Sequence, residues 1–113
     1  MGDDDRRGES RHGEYKAPGG KLVVADFIVI DGRFTGVQVS GDFFLEPASA
    51  LDRIDAALEG LSIDTAEAAL AAAVDSALER GTQMFGITPE AVAVALRRAL
   101  DAGSETPEAE AAT

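Results

Sequence analysis

The sequence predicts an α+β domain: a small antiparallel β-sheet of two or three strands, built on a hairpin, packed against about three α-helices in two layers. Three observations carry that prediction. Residues 21–30 are rich in Val, Ile and Phe and run into Asp31-Gly32, a strong short hairpin signal. From Glu46 onward the apolar spacing changes to the helical period. Gly60, Gly81 and Gly103 then divide the second half into three helix-sized pieces.

With Asp31-Gly32 as the turn, Ile30 faces Arg33 and the pairing runs back to Val24 opposite Val39. That register gathers Leu22, Val24, Ile28, Ile30, Val37 and Val39 on one face, the predicted core side, with Asp26 as its misfit. The other face carries Val23, Ala25, Phe27, Val29, Phe34, Gln38 and Ser40. It is too apolar for plain solvent, so it is expected to be covered or to face a partner, unless a bulge near Gly36 reassigns the two faces. Glu14–Lys16, ahead of Pro18-Gly19-Gly20, predicts a short strand returning along the first.

In the helical half, Pro47 suits a first helical position, and Leu51, Ile54 and Leu58 recur at helical spacing up to Gly60. A second helix is expected with Asp64 as N-cap and Glu67 in the reciprocal capping position. Its apolar stripe is Leu70, Val74 and Leu78, and Gly81 stops it. A third opens at Thr88-Pro89, carries Val92, Leu96 and Leu100, and stops at Gly103. Arg97 and Arg98 are placed to complement its dipole.

The 113 residues suffice for one domain. Residues 1–11 are expected to be a disordered arm and residues 104–113 a disordered acidic tail, because neither has the apolar content to offset its ordering entropy. The ordered domain is expected over residues 12–103. The formal net charge is −11. Residues 1–12 hold 4 acids and 3 bases, and residues 104–113 hold 3 acids and no base; the other 14 acids and 7 bases leave −7 on residues 13–103. An acidic surface of that size argues against nucleic acid and anionic membrane as partners. It is also compatible with adaptation to high salt. Without cysteine the chain has no disulfide, thiolate cluster or thiol nucleophile. The polar first residues and the lack of a long apolar run predict a cytoplasmic protein.

Two segments invite a functional reading. In Tyr15-Lys16-Ala17-Pro18-Gly19-Gly20-Lys21, a Gly-Gly turn with available amides lies between two cations, suited to a phosphate or a carboxylate. The plainer alternative is a tight turn with two solvated lysines, and the spacing is not that of a P-loop. In Gly41-Asp42-Phe43-Phe44-Leu45, adjacent aromatics point to opposite sides of an extended chain. One can enter the core while the other faces a partner, and core packing alone would also account for them. His12, the single histidine, reads as solvated, and a metal site is not expected. The acids Asp52, Asp55, Glu59, Asp75 and Glu79 read as solvating charges. Thr82–Ile87, with Met84 and Phe85, is either an exposed knuckle or a core plug, and the plug is preferred. Nucleophile, base and orienting group do not occur together, which predicts a binding or assembly module.

Lys16, Pro18-Gly19-Gly20-Lys21-Leu22-Val23 and, after the hairpin, Gly41-Asp42-Phe43-Phe44 with Pro47 resemble the C-terminal accessory domain of lipoate–protein ligases, a domain that also occurs as a separate small protein. The likeness spans residues 12–103. It implies a small sheet backed by helices, acting as accessory subunit to a separate catalytic large subunit. That subunit would use ATP, Mg²⁺ and lipoate to form lipoyl-AMP, then lipoylate the lipoyl domain of a 2-oxoacid dehydrogenase or glycine cleavage H protein. This chain alone would bind no cofactor. On that reading the turn with Lys16, Gly19, Gly20 and Lys21 is hypothesised to lie near the adenylate, and Tyr15, Pro18, Asp42, Phe43 and Phe44 at the partner interface. A different reading is a regulatory or protein-binding domain of the same fold without a ligase partner. A small enzyme using the anion site directly is the third.

Overall fold

The computed structural model describes residues 8–17 and 21–102. The element order is β1 (Glu9–Lys16), β2 (Leu22–Ile30), β3 (Arg33–Gly41), β4 (Phe44–Glu46), α1 (Ala50–Leu58), α2 (Glu67–Ala77), β5 (Gln83–Phe85) and α3 (Pro89–Ala102). β1, β2 and β3 form an antiparallel sheet with β2 in the centre, while β4 and β5 pair as a separate two-stranded ribbon. The fold is α+β, as the sequence predicts. The first strand is longer than expected: it takes in Glu9–Arg11, residues assigned above to the arm. Residues 1–7, Pro18–Gly20 and 103–113 lie outside the described residues, and with them most of the arm and the whole predicted tail.

The hairpin turns at Asp31-Gly32 with Ile30 opposite Arg33, as expected, but the register then shifts. Ile28 faces Thr35, whereas Asp26 faces Gln38 and Ala25 faces Val39. Gly36, at φ +63°, takes up the extra residue, a conformation that glycine adopts at little cost. The slip carries Val37 and Val39 onto the face of Val23, Ala25 and Phe27. The buried face of the sheet is therefore Val23, Ala25, Phe27, Phe34, Val37 and Val39, and the predicted core face of Leu22, Val24, Ile28 and Ile30 is the open one. Asp26 ceases to be a misfit, because it stands on the open side opposite His12. Glu59 secures the bulge from below: its carboxylate accepts the Gly36 N–H at 2.9 Å and the Val37 N–H at 3.2 Å. Asp55, one turn earlier, accepts the Val39 N–H at 3.0 Å. These two carboxylates, read above as solvating charges, thus occupy the outward amides of an edge strand, which would otherwise invite pairing.

The helices cover the inner face. Ile54, Leu58, Leu70, Val74, Val92 and Leu96 are fully buried, and each contributes about 1.5–3 kcal/mol by leaving water. Alanines at 91, 93, 95 and 99 let α3 lie close on β1 and β2. At Gly13 the approach is closest: a Cβ there would stand 2.4 Å from the Ala95 carbonyl oxygen and 2.4 Å from the Ala99 nitrogen. Helix boundaries differ from expectation in three places: α2 ends at Ala77, before Leu78 and well short of Gly81, and two helix starts are shifted. Pro47 precedes α1 by two turn residues, Ala48 and Ser49, and its carbonyl accepts the Ala50 N–H. Asp64 is not a cap, since α2 begins at Glu67 behind Ala66; residues 62–65 instead close on Ser62, whose side chain and carbonyl accept from Asp64 and Thr65. The third start is as predicted, with the Thr88 hydroxyl accepting the Ala91 N–H at 3.0 Å. Arg97 and Arg98 do not serve the end of α3: they donate to the carbonyls of Ile63 and Glu14.

Candidate functional site

One corner of the molecule gathers the residues singled out by sequence. The end of β1 and the start of β2 meet where Ala17 donates its N–H to the Lys21 carbonyl at 2.9 Å, closing the turn that holds both lysines. Lys16 and Lys21 are exposed. Asp42 continues the β3 edge by donating its N–H to the Leu22 carbonyl. The aliphatic part of Lys21 lies against the backbone of Gly86: a Cβ on Gly86 would stand 2.8 Å from Lys21 Cγ and 3.3 Å from Phe43 Cβ. Three segments remote in sequence therefore converge here, namely Lys21, Phe43 and the Phe85-Gly86 end of β5.

The two aromatics of the Asp42-Phe43-Phe44 segment part as an extended chain requires. Phe43 is half-buried against the core, and Phe44 is 57% exposed. Phe44 pairs across the ribbon with Phe85, itself 41% exposed, and the rings stack at 4.6 Å with 18° between their planes. Residues 82–87 thus do both things that the sequence left open. Ile87 plugs the core and Met84 is partly buried, whereas Phe85 stands outside. Sequence reasoning missed Phe85 as a companion to Phe44 because nothing local ties residue 44 to residue 85.

Tyr15 is half-buried on the helix side, with the Arg98 guanidinium 5.0 Å from its ring centre. Beside it, Tyr15, Ala17, Thr88, Glu90, Ala91 and Val94 line a mostly apolar cleft of about 390 Å³ at the base of the lysine turn. Pro18, Gly19 and Gly20 lie outside the described residues, so their placement toward a ligand or partner stays an expectation.

His12 is more engaged than a solvated side chain. On the open sheet face its Nδ1 lies 2.6 Å from Asp26 Oδ1 and its Nε2 lies 2.8 Å from Glu14 Oε2. Hydrogen bonds accepted by Glu14 and Asp26 raise its pKa above the ordinary 6.5, favouring the doubly protonated ring that donates to both. Burial pushes the Asp55 carboxyl up to about 6, against the Val39 N–H, which lowers it. Among the described residues, His, Asp and Glu do not group in threes able to hold a metal. Among the described residues the corner offers two cations, Lys16 and Lys21, exposed apolar surface at Phe44 and Phe85, and the carboxylates of Asp42 and Glu90. Among the described residues no helix is long and apolar enough to cross a membrane.

No family model matches the chain, and no curated protein matches it. Among solved structures, the chain is similar to one from an archaeal lipoylation system of Thermoplasma acidophilum, described as a bi-partite lipoate protein ligase and its E2 lipoyl domain. The identity is 25% and the TM-score 0.57, over 78% of this chain and 92% of that one.

Proposed function

We propose that this chain is the accessory protein of a two-protein lipoate–protein ligase, completing the lipoate-activating site of a separate catalytic protein and doing no chemistry alone. The observation that carries the reading is the corner itself: Lys21 from the lysine turn, Phe43 from the Gly-Asp-Phe-Phe segment and Gly86 pack together, joining three segments remote in sequence at an exposed edge of the molecule. The likeness to a component of a bi-partite ligase system supports it, because that likeness spans nearly all of the other chain.

In this reading the catalytic protein binds ATP, Mg²⁺ and lipoate in the cytoplasm and forms lipoyl-AMP. The acceptors are lysines of a lipoyl domain or of glycine cleavage H protein. This chain brings the Lys16–Lys21 turn to the rim of the partner's site, with the amides of Gly19 and Gly20 beside the adenylate. Lys21, with Lys16 next to it, offsets negative charge that builds on the phosphates as the adenylate forms; an ammonium fixed in place contributes most where water is excluded. Tyr15, Pro18, Asp42, Phe43 and Phe44 support the turn or meet the partner. The test is Lys21→Ala in the reconstituted pair, followed by pyrophosphate release with lipoate. Adenylate formation is expected to fall by about tenfold or more, as for loss of one preorganised charge. Unchanged activity would remove Lys21 from the site.

A further inference from the structure

Phe44 and Phe85 are the large apolar side chains that stand exposed among the described residues, and their rings stack on each other. The alternation of the ribbon explains how they are held there. Leu45 and Met84 point inward as a cross-strand pair, so Phe44, Glu46, Gln83 and Phe85 all point outward, as the pairs Phe44–Phe85 and Glu46–Gln83. Turning two phenylalanines outward leaves apolar surface in water that the lone fold does not cover. The two rings lie nearly parallel, and Glu46 points outward from the same row, so an apolar anchor and a charge stand side by side.

We infer that Phe44 and Phe85, with Glu46 at their rim, form the ledge on which the catalytic protein docks, and that the patch received there is apolar and basic. This rests on the accessory reading and adds the chemistry of the partner. Charge decides between occupants. A chain of net charge −11 would set its Glu46 carboxylates and its overall excess against themselves if a second copy took the ledge. An arginine or lysine stem laid across the two rings gains apolar contact, its charge is attracted by the ring faces, and Glu46 is within the same outward row to pair with it. The ledge adjoins the Lys21–Gly86 contact, so docking here also fixes where the lysine turn falls on the partner. The open sheet face with Leu22, Val24, Ile28 and Ile30 is a weaker surface, because its residues are half-covered and the His12–Asp26 pair interrupts the row.

The experiment titrates the purified catalytic protein from the same source with wild-type chain, with Phe44→Ala/Phe85→Ala and with Glu46→Lys, by calorimetry. Thermal melts of each variant check that the fold is kept. The expected result is loss of affinity by about tenfold or more for the double variant, and a smaller loss for Glu46→Lys. If wild type binds and the double variant binds equally well, the ledge is wrong while the accessory reading stands. If Glu46→Lys binds as tightly as wild type or tighter, the basic patch is wrong. If wild type does not bind at all, the accessory reading and the ledge fall together. Sedimentation of the chain alone is expected to show a monomer; a dimer abolished by Phe44→Ala/Phe85→Ala would assign the ledge to a second copy and overturn the proposal.

Discussion

The inner face of the three-stranded sheet and the corner at the β4–β5 ribbon use similar residues to opposite ends. On the inner face Phe34 is fully buried and meets Phe27 edge-on, at 4.8 Å and 79°. The backbones of β1 and α3 come so close that only a glycine fits at residue 13. At the corner two other phenylalanines stack face to face and remain in solvent. The difference teaches where each part of the sequence acts. The inner face holds the chain together, and the corner holds apolar surface out for something else.

The comparison predicts a graded set of outcomes. Phe34→Ala empties the centre of the packed region and should destabilise by about 3–5 kcal/mol, lowering the melting temperature by more than about 12 °C. Gly13→Ala comes next. The added methyl meets the backbone of α3 and not a movable side chain, so a loss of about 1–3 kcal/mol is expected by denaturant unfolding. A variant as stable as wild type would mean that α3 sits farther from β1.

The third prediction concerns pH. The folded pKa of His12 lies above 6.5, so its stabilisation is complete below 6.5 and is lost as pH rises through the folded value. Asp55 titrates near 6 when folded and near 3.8 when unfolded, so between those values the folded state keeps a proton that the unfolded state has released. Both effects make stability fall as pH rises, Asp55 in the lower window and His12 in the upper. Melting curves from pH 4 to 8 should show that decline; His12→Gln should flatten its upper part and Asp55→Asn its lower part. The smallest effect belongs to the corner. Phe44→Ala and Phe85→Ala should each cost under about 1 kcal/mol of stability, because neither ring belongs to the buried core. A loss as large as that of Phe34→Ala would erase the distinction between the two regions.

Much of this was legible from residue order, and the failures have a common cause. The hairpin turn, the helical stripes around Ile54, Leu70, Val74, Val92 and Leu96, and the start of α3 at Thr88 all follow from local spacing. The choice of buried sheet face did not, because β2 is apolar on both sides and a single inserted residue at Gly36 decides which side Val37 and Val39 join. Asp55 and Glu59 resembled ordinary surface acids because their partners are backbone amides 16 to 23 residues away. The corner was half legible. Lys16, Lys21, Phe43 and Phe44 stand in recognisable segments, but the pairing of Phe44 with Phe85 depends on a ribbon whose strands are only three residues long.

The account stands or falls on whether this chain acts through another protein. Lipoate-dependent pyrophosphate release, followed for the chain alone, the catalytic protein alone and the two together, measures that directly. Full activity is predicted only in the mixture, with none from the isolated chain. Turnover by the chain in isolation, or undiminished activation by the catalytic protein without it, would contradict the account.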